Sequence, residues 1–296
     1  MNTELAMTAP FTPAAAEQTI DAQHSEDTRP AWDRIAPGYD RTNPPSQMWL
    51  GNEGLRRAEL HAGMRFLDVA AGSGALSIPA ARLGAHVLAT DQSAVMLKLL
   101  SARAGLENLN IKTRVMDGHS LELNDNSFDI AGSQFGVMLF PDMPKGISEM
   151  VRVTKPGGRV LLLVYGDPTK IDFFSFFVRA IQSVRPDFNG PPLDPPPLPF
   201  QLQDPKRLRA ELRTAGLKDI RVETITETTD FQSGKNLWEW LVSSNPIVEM
   251  VLDGLNLTED ERDVIQQSLE KLVRARAGGN GAAKLTNPVN IGIGTK

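Results

Sequence analysis

The positions able to do chemistry concentrate in two neighbouring stretches, RFLDVAAGSGALS at residues 65–77 and HVLATDQS at residues 86–93. In the first, a short apolar run carries Asp68 and ends in a small-residue turn holding Gly72 and Gly74, before an apolar-periodic segment begins. That pattern predicts strand, tight turn and helix. Glycines suit such a turn because a backbone approaching a ligand closely leaves no room for side chains. The helix behind it opens with unpaired N–H groups, which favour anionic or polar ligand groups. In the second stretch an apolar run ends at Asp91, about twenty residues beyond the glycines, where a carboxylate can accept hydrogen bonds from both hydroxyls of a ribose. Together the two stretches predict a site for a nucleoside-bearing cofactor.

Asp68 and the spacing of the glycines narrow the choice. A dinucleotide turn calls for Gly-x-Gly-x-x-Gly, and the third glycine position here is Ser77. A carboxylate just ahead of the turn repels a pyrophosphate and suits a cation such as the sulfonium and α-ammonium of S-adenosylmethionine. An NAD-dependent oxidoreductase on a similar fold is the rival that Asp68 and Ser77 disfavour. At Asp68-Val-Ala70-Ala-Gly72-Ser-Gly74 the sequence resembles the first motif, Asp-x-Gly-x-Gly-x-Gly, of the class I S-adenosylmethionine-dependent methyltransferases. Alanine replaces the first glycine, which reads as the addition of one methyl group. VMDGHSLEL at 115–123 resembles the third motif, SFDIAGSQFGVMLFPD at 127–142 the fourth strand and acceptor-facing loop, and EMVRVTKPGGRVLLLVYG at 149–166 the helix, Lys-Pro-Gly-Gly turn and fifth strand. AWDRIAPGYDRTNPP at 31–45 resembles the segment preceding the core in the ubiquinone/menaquinone C-methyltransferases, a small-molecule group.

The resemblance implies S-adenosyl-L-methionine as cofactor. Its contacts would be Tyr39 above it, Asp68, Ala70, Gly72 and Gly74 at the first turn, and Asp91, Gln92 and Met96 after the second strand. Asp117 would face the adenine amino group and the backbone of Gly118 or His119 its ring nitrogens, while Gln134, at the end of the fourth strand where acceptor-facing groups project, is a further cofactor-binding candidate. Tyr39 and Trp32 also read as simple anchors of the segment they stand on. NPPS at 43–46 lacks the aromatic residue of the Asn-Pro-Pro-aromatic motif of nucleic-acid amino methyltransferases, and no strand precedes it.

Methyl transfer from a sulfonium is an in-line displacement at an activated carbon, so alignment and exclusion of water do much of the work. A base is needed only where the acceptor must lose its proton early. His119 and Gln134 are the candidate catalytic residues, with a surface turn and a structural hydrogen bond as their plainer readings. Tyr39 and Asp142 are further base candidates, Asp142 reading first as a helix cap. His24, His61 and His86 show no metal-ligand spacing, and no metal is expected. A module that binds the cofactor without transferring from it fits Gly72, Gly74 and Asp91 equally well.

Composition bounds the partners. The 296 residues contain no cysteine, which removes disulfides, thiolate metal sites and cysteine nucleophiles. A net charge of −5 gives no basic footprint, so nucleic acid is not expected as a partner. A small, hydrophobic or aromatic acceptor is expected. No apolar run approaches the length of about 18 residues that spans a bilayer. Residues 1–28, without basic residues before Arg29, are expected to be neither a secretory signal nor a transit peptide, and a cytoplasmic monomer or homodimer is expected.

The elements that must position these residues alternate. Strands are expected near 65–70, 86–90, 111–116, 128–134 and 158–165, separated by helices, which means a parallel sheet covered on both faces. The expected fold is α/β and Rossmann-like: a seven-stranded, mostly parallel sheet with an antiparallel last strand, plus a helical cap from insertions after strands five and six. Residues 1–28 read as a disordered tail, 29–60 as a helical arm, 61–167 as the cofactor-binding core and 168–203 as a cap insertion. Residues 204–233 return to the core with a capped helix and strand six, 234–283 form a helical cap, and 284–296 give the last strand. Pro37 and Gly38 should end the arm's first helix, residues 48–60 should form a second, and Pro79 should bend or restart the helix after the glycine turn. Residues 173–184, the proline-rich loop and residues 238–251, with Phe177 and Trp238, should line an apolar acceptor pocket or else a dimer surface.

Overall fold

The computed structural model describes residues 28–191, 194–278 and 281–296. The expected disordered tail therefore lies, Thr28 apart, outside the described residues.

β1 (Arg65–Val69), β2 (His86–Asp91), β3 (Ile111–Val115), β4 (Phe128–Gln134), β5 (Thr154–Tyr165), β6 (Lys218–Phe231) and β7 (Ala283–Thr295) form one seven-stranded sheet in the order β3-β2-β1-β4-β5-β7-β6. β1 to β5 run parallel. β7 is inserted antiparallel between β5 and β6, so β6 keeps the common direction and ends where the cofactor segment lies. The expected fold is the one observed. Val160 to Val164 are each fully buried, and a strand with no exposed side must have both faces covered. Phe66, Leu67, Ile130 and Ala131 continue that core across β1 and β4. The chain leaves β1 toward β2 and β3 on one side and returns through β4 on the other. The switch between β1 and β4 opens a crevice at the strands' carboxyl ends, where ligands of such sheets bind.

The helices are α1 (Arg29–Thr42), α2 (Pro44–Arg57), α3 (Ser77–Arg82), α4 (Ala94–Leu106), α5 (Met143–Val153), α6 (Asp172–Gln182), α7 (Pro205–Thr214), α8 (Gly234–Ser244), α9 (Pro246–Gly254) and α10 (Glu259–Ala277). Asp204 caps α7 as expected, and Thr258 with Glu261 completes a capping box on α10, which ends at left-handed Gly278. α6, α8, α9 and α10 pack into a second apolar cluster around Phe177, Trp240, Leu252, Ile265 and Leu269, seated on Phe231 and Leu285 at the edge of β6 and β7. No helix among the described residues is long and apolar enough to cross a membrane.

Three local expectations are corrected. α1 does not stop at Pro37 and Gly38 but runs through both to Thr42. Gly38 serves a helix crossing: a Cβ there would stand 2.9 Å from Ser243 Cβ of α8. α2 begins at Pro44 rather than at residue 48, with proline in its first turn, where a missing N–H costs nothing. Pro79 likewise falls in the first turn of the six-residue α3 and neither bends nor restarts it.

Candidate functional site

The site begins at the turn after β1. Ala70, Gly72 and Gly74 all have left-handed backbones, with φ of 56°, 53° and 103°. For Ala70 that conformation costs about 1 kcal/mol, so the alanine adds strain as well as a methyl group. Gly136 makes room for the methyl, since a Cβ there would lie 2.6 Å from Ala70 Cβ. Gly74 works differently from expectation: a side chain would run into Leu100 at 3.0 Å and Ile78 at 3.2 Å rather than into ligand space, and Gly74 does not line the cleft. Gly72 does, and the ring of Tyr39 lies over it, 3.5 Å from where a Cβ would be.

Asp91 closes the turn from the other strand. Its Oδ2 accepts the Gly72 N–H and its Oδ1 the Ser93 N–H, both at 2.9 Å. Burial pushes its pKa up, and these N–H groups oppose the shift. With Ala70, Gln92, Met96 and Tyr39 it lines a solvent-open cleft of about 950 Å³, its mouth included. Burial, followed by the Asp91 and Asp68 carboxylates, raises the Tyr39 hydroxyl far above its ordinary pKa and keeps it protonated.

Asp68 stands behind the turn, 1% exposed and off the cleft wall. Its Oδ2 accepts the Ser77 hydroxyl at 2.6 Å, while Oδ1 is buried without a partner. Burial raises its pKa to about 7 against the Ser77 bonds. The residue at the third glycine position of a dinucleotide turn is thus a donor to the acid that precedes the turn.

On the far wall, Asp117 Oδ1 accepts the His119 backbone N–H at 2.9 Å and meets its ring Nδ1 at 2.7 Å. Burial raises the Asp117 pKa, but the His119 contacts and Lys145 hold it below its usual value. His119 Nε2 is buried without a partner, and its ring packs on Phe140 at 4.6 Å between centroids. Gly118 leaves room for that phenyl ring, with which a Cβ would clash. Gln134 lines the same cleft; its Nε2 donates to the Gln47 carbonyl at 3.1 Å, and Oε1 is left buried without a partner. Asp142 is not brought to the wall and caps α5 through the Lys145 N–H.

A second cleft of about 880 Å³ adjoins the first, and Trp32, Tyr39, Phe135 and Leu139 line both. Phe173, Phe174 and Phe177 of α6, Phe200 of the proline-rich loop and Trp240 of α8 supply its aromatic wall, with Pro197 beside them. Trp240 stands there instead of the expected Trp238. Phe135 has a left-handed φ of 55°, a conformation that is strained for an aromatic residue, and stacks on Tyr165 at 4.4 Å. Sequence reasoning did not single out Phe135, Tyr165, Asn43 or Gln47, and Asn43 of the NPPS segment reaches this wall with no strand before it. α1 ties the clefts together through Arg103–Asp40 at 2.6 Å on the core side and Arg34–Glu249 at 2.9 Å on the cap side.

Comparison with known proteins follows the same line. Residues 67–162 match the family described as a methyltransferase domain. An uncharacterized protein of Mycobacterium tuberculosis is 34% identical over 179 residues, 60% of this chain and 62% of that protein. A demethylmenaquinone methyltransferase of Renibacterium salmoninarum is 35% identical over 160 residues, 52% of this chain and 65% of the relative. The aligned part thus spans a little under two thirds of these relatives' own length. Phosphoethanolamine N-methyltransferase 2 of Haemonchus contortus, solved with S-adenosyl-L-methionine, shares the fold at a TM-score of 0.51 and 21% identity, over 83% of this chain and 52% of that one. The resemblance read from the motifs is borne out.

Proposed function

Starting from a core that carries a methyltransferase domain of the class I S-adenosylmethionine-dependent kind, we propose that the whole chain transfers a methyl group from S-adenosylmethionine to a small apolar or aromatic acceptor. The observation that supports this is the pair of adjoining clefts with a shared aromatic wall, one built on Asp91 and Gly72, the other almost free of polar groups. The residues present fit the cofactor. Asp91 offers its remaining lone pairs to ribose hydroxyls and Gly72 keeps the turn flat beneath the ring of Tyr39, with Asp68 buried behind the turn and bonded to Ser77. When bound, S-adenosylmethionine supplies an electrophilic methyl on sulfonium.

The chain's own contribution is placement and dryness. Trp32, Tyr39, Phe135 and Leu139 border both clefts, so they frame the opening between donor and acceptor and exclude water from it. His119 lines only the first cleft, and Asp142 lines neither. Acid–base help from either is not part of the proposal. The NAD-dependent reading is disfavoured further because Ser77, where a third glycine would be needed, is committed to Asp68. Calorimetric titration of the full chain with S-adenosylhomocysteine and with NAD tests the cofactor. Micromolar binding of the first and none of the second is expected; binding of NAD alone overturns the proposal. Methyl transfer into acceptor pools from isotope-labelled S-adenosylmethionine separates an enzyme from a module that only binds.

A further inference from the structure

Among the described residues, none that lines the second cleft carries a charge. A carboxylate or phosphate bound there would lose its water without meeting a cation, a cost that an uncharged ring system avoids. The polar side chains of the wall are amides, hydroxyls and the indole N–H groups of Trp32 and Trp240, and two of their atoms are buried without a partner, the donor Trp240 Nε1 and the acceptor Oε1 of Gln47. Gln47 of α2 is 4% exposed. Its Nε2 lies 3.4 Å from Asn43 Oδ1, at the long limit of a hydrogen bond, and its Oε1 is buried without a partner. Its main chain is fixed, because its carbonyl accepts Gln134 Nε2 from the wall of the first cleft, so the residue sits where the two clefts approach each other.

A buried carboxamide oxygen with no donor carries a desolvation cost that a ligand's donor removes. The terminal torsion of glutamine is broad, so rotation of the carboxamide brings Oε1 to the cleft without moving α2. Resting on the reading of the second cleft as the acceptor site, we infer that Gln47 is a specificity-determining residue that accepts a hydrogen bond from an O–H or N–H of an uncharged aromatic acceptor. The cleft thereby selects a hydroxylated or N–H-bearing ring over the bare hydrocarbon and over the carboxylate.

The test uses 2-naphthol, naphthalene and 2-naphthoate, titrated into the full chain and into Gln47→Leu and Gln47→Met, with S-adenosylhomocysteine titrated into the same samples. In the unsubstituted chain, 2-naphthol should bind about tenfold tighter than naphthalene, and 2-naphthoate weaker than either. Both substitutions should close the gap between naphthol and naphthalene to within about twofold while leaving naphthalene bound at least as well. A fold defect would instead weaken all probes together, and the methionine variant, close to glutamine in shape, guards against that. The inference is overturned if the gap persists in both variants, if naphthoate binds as tightly as naphthol, or if no probe binds. Because S-adenosylhomocysteine reports on the first cleft alone, its failure to bind would sink the cofactor reading separately.

Discussion

At the scale of single residues, Asp91 and Ser77 make the sharpest predictions. Asp91 both fixes two turns, through the Gly72 and Ser93 N–H groups, and faces the first cleft. Asp91→Asn keeps the volume but presents NH₂ where acceptors are needed. S-adenosylhomocysteine affinity should drop about tenfold or more by calorimetry, and an unchanged affinity would remove the ribose role. Ser77→Ala strips the buried Asp68 carboxyl of its 2.6 Å donor and should lower unfolding free energy in denaturant by about 1–3 kcal/mol. A loss no larger than that of an exposed serine would show Asp68 to be satisfied otherwise. Asp68, Gly72 and Asp91 are legible in sequence because the strand-turn-helix unit is local and its chemistry is spaced along about twenty residues. The donor role of Ser77 is not, since Ser77 reads only as a missing glycine until the turn has folded. Phe135, Gln47 and Trp240 lie far apart along the chain, and only the tertiary fold gives them a shared cleft.

At the scale of elements, the strands were legible because apolar runs alternate with helical periods, and the capped helices because Asp204 and Thr258 announce them. Proline and glycine misled where packing overrode local punctuation. Pro37 and Gly38 read as a stop, yet α1 continues because Ile35 and Ala36 are buried and Gly38 lets α1 cross α8. That crossing holds Trp32 and Tyr39 over both clefts, so its steric basis can be tested by the sign of a substitution. In an unobstructed helix Gly→Ala gains about 1 kcal/mol. Here the new methyl would press on Ser243 Cβ at 2.9 Å, at a cost of about 1–3 kcal/mol. Gly38→Ala should therefore lower the melting temperature in the native background and raise it in a Ser243→Gly background. A gain in both backgrounds would mean that the crossing does not depend on Gly38.

At the scale of the whole molecule, the cap could be read as apolar helices, but the sequence could not show what lies beneath them. There β6 buries Glu227, 3% exposed, with Asn287 Nδ2 of β7 at 3.4 Å and the Tyr165 side chain close enough for Glu227 to raise its pKa after burial has done so. Burial pushes Glu227 to about 7 against the Asn287 bond, and Asp68 in the core is also raised to about 7. Each acid binds its proton more tightly folded than unfolded. Between the unfolded carboxylate value of about 4 and the folded value, the native state thus holds more protons, so stability falls as pH rises through the window and levels off above it. The ion pairs act the other way but lower in pH: a carboxyl such as Glu261, held down to about 2 beside Arg185, adds stability as its unfolded counterpart ionises, which is largely complete by about pH 5, so above that the falling slope of the buried acids remains. The melting temperature should accordingly be higher near pH 5 than near pH 7.5. Glu227→Gln, which cannot ionise, should flatten the decline by on the order of 1–3 kcal/mol, the remaining slope belonging to Asp68 and Asp91, whose pKa values burial also raises. A variant with the native slope would mean that Glu227 is ionised in the folded protein. The cap would then be holding a buried charge beside Tyr165 on the wall of the aromatic cleft, and the preference of that cleft for uncharged acceptors would have to be reconsidered with it.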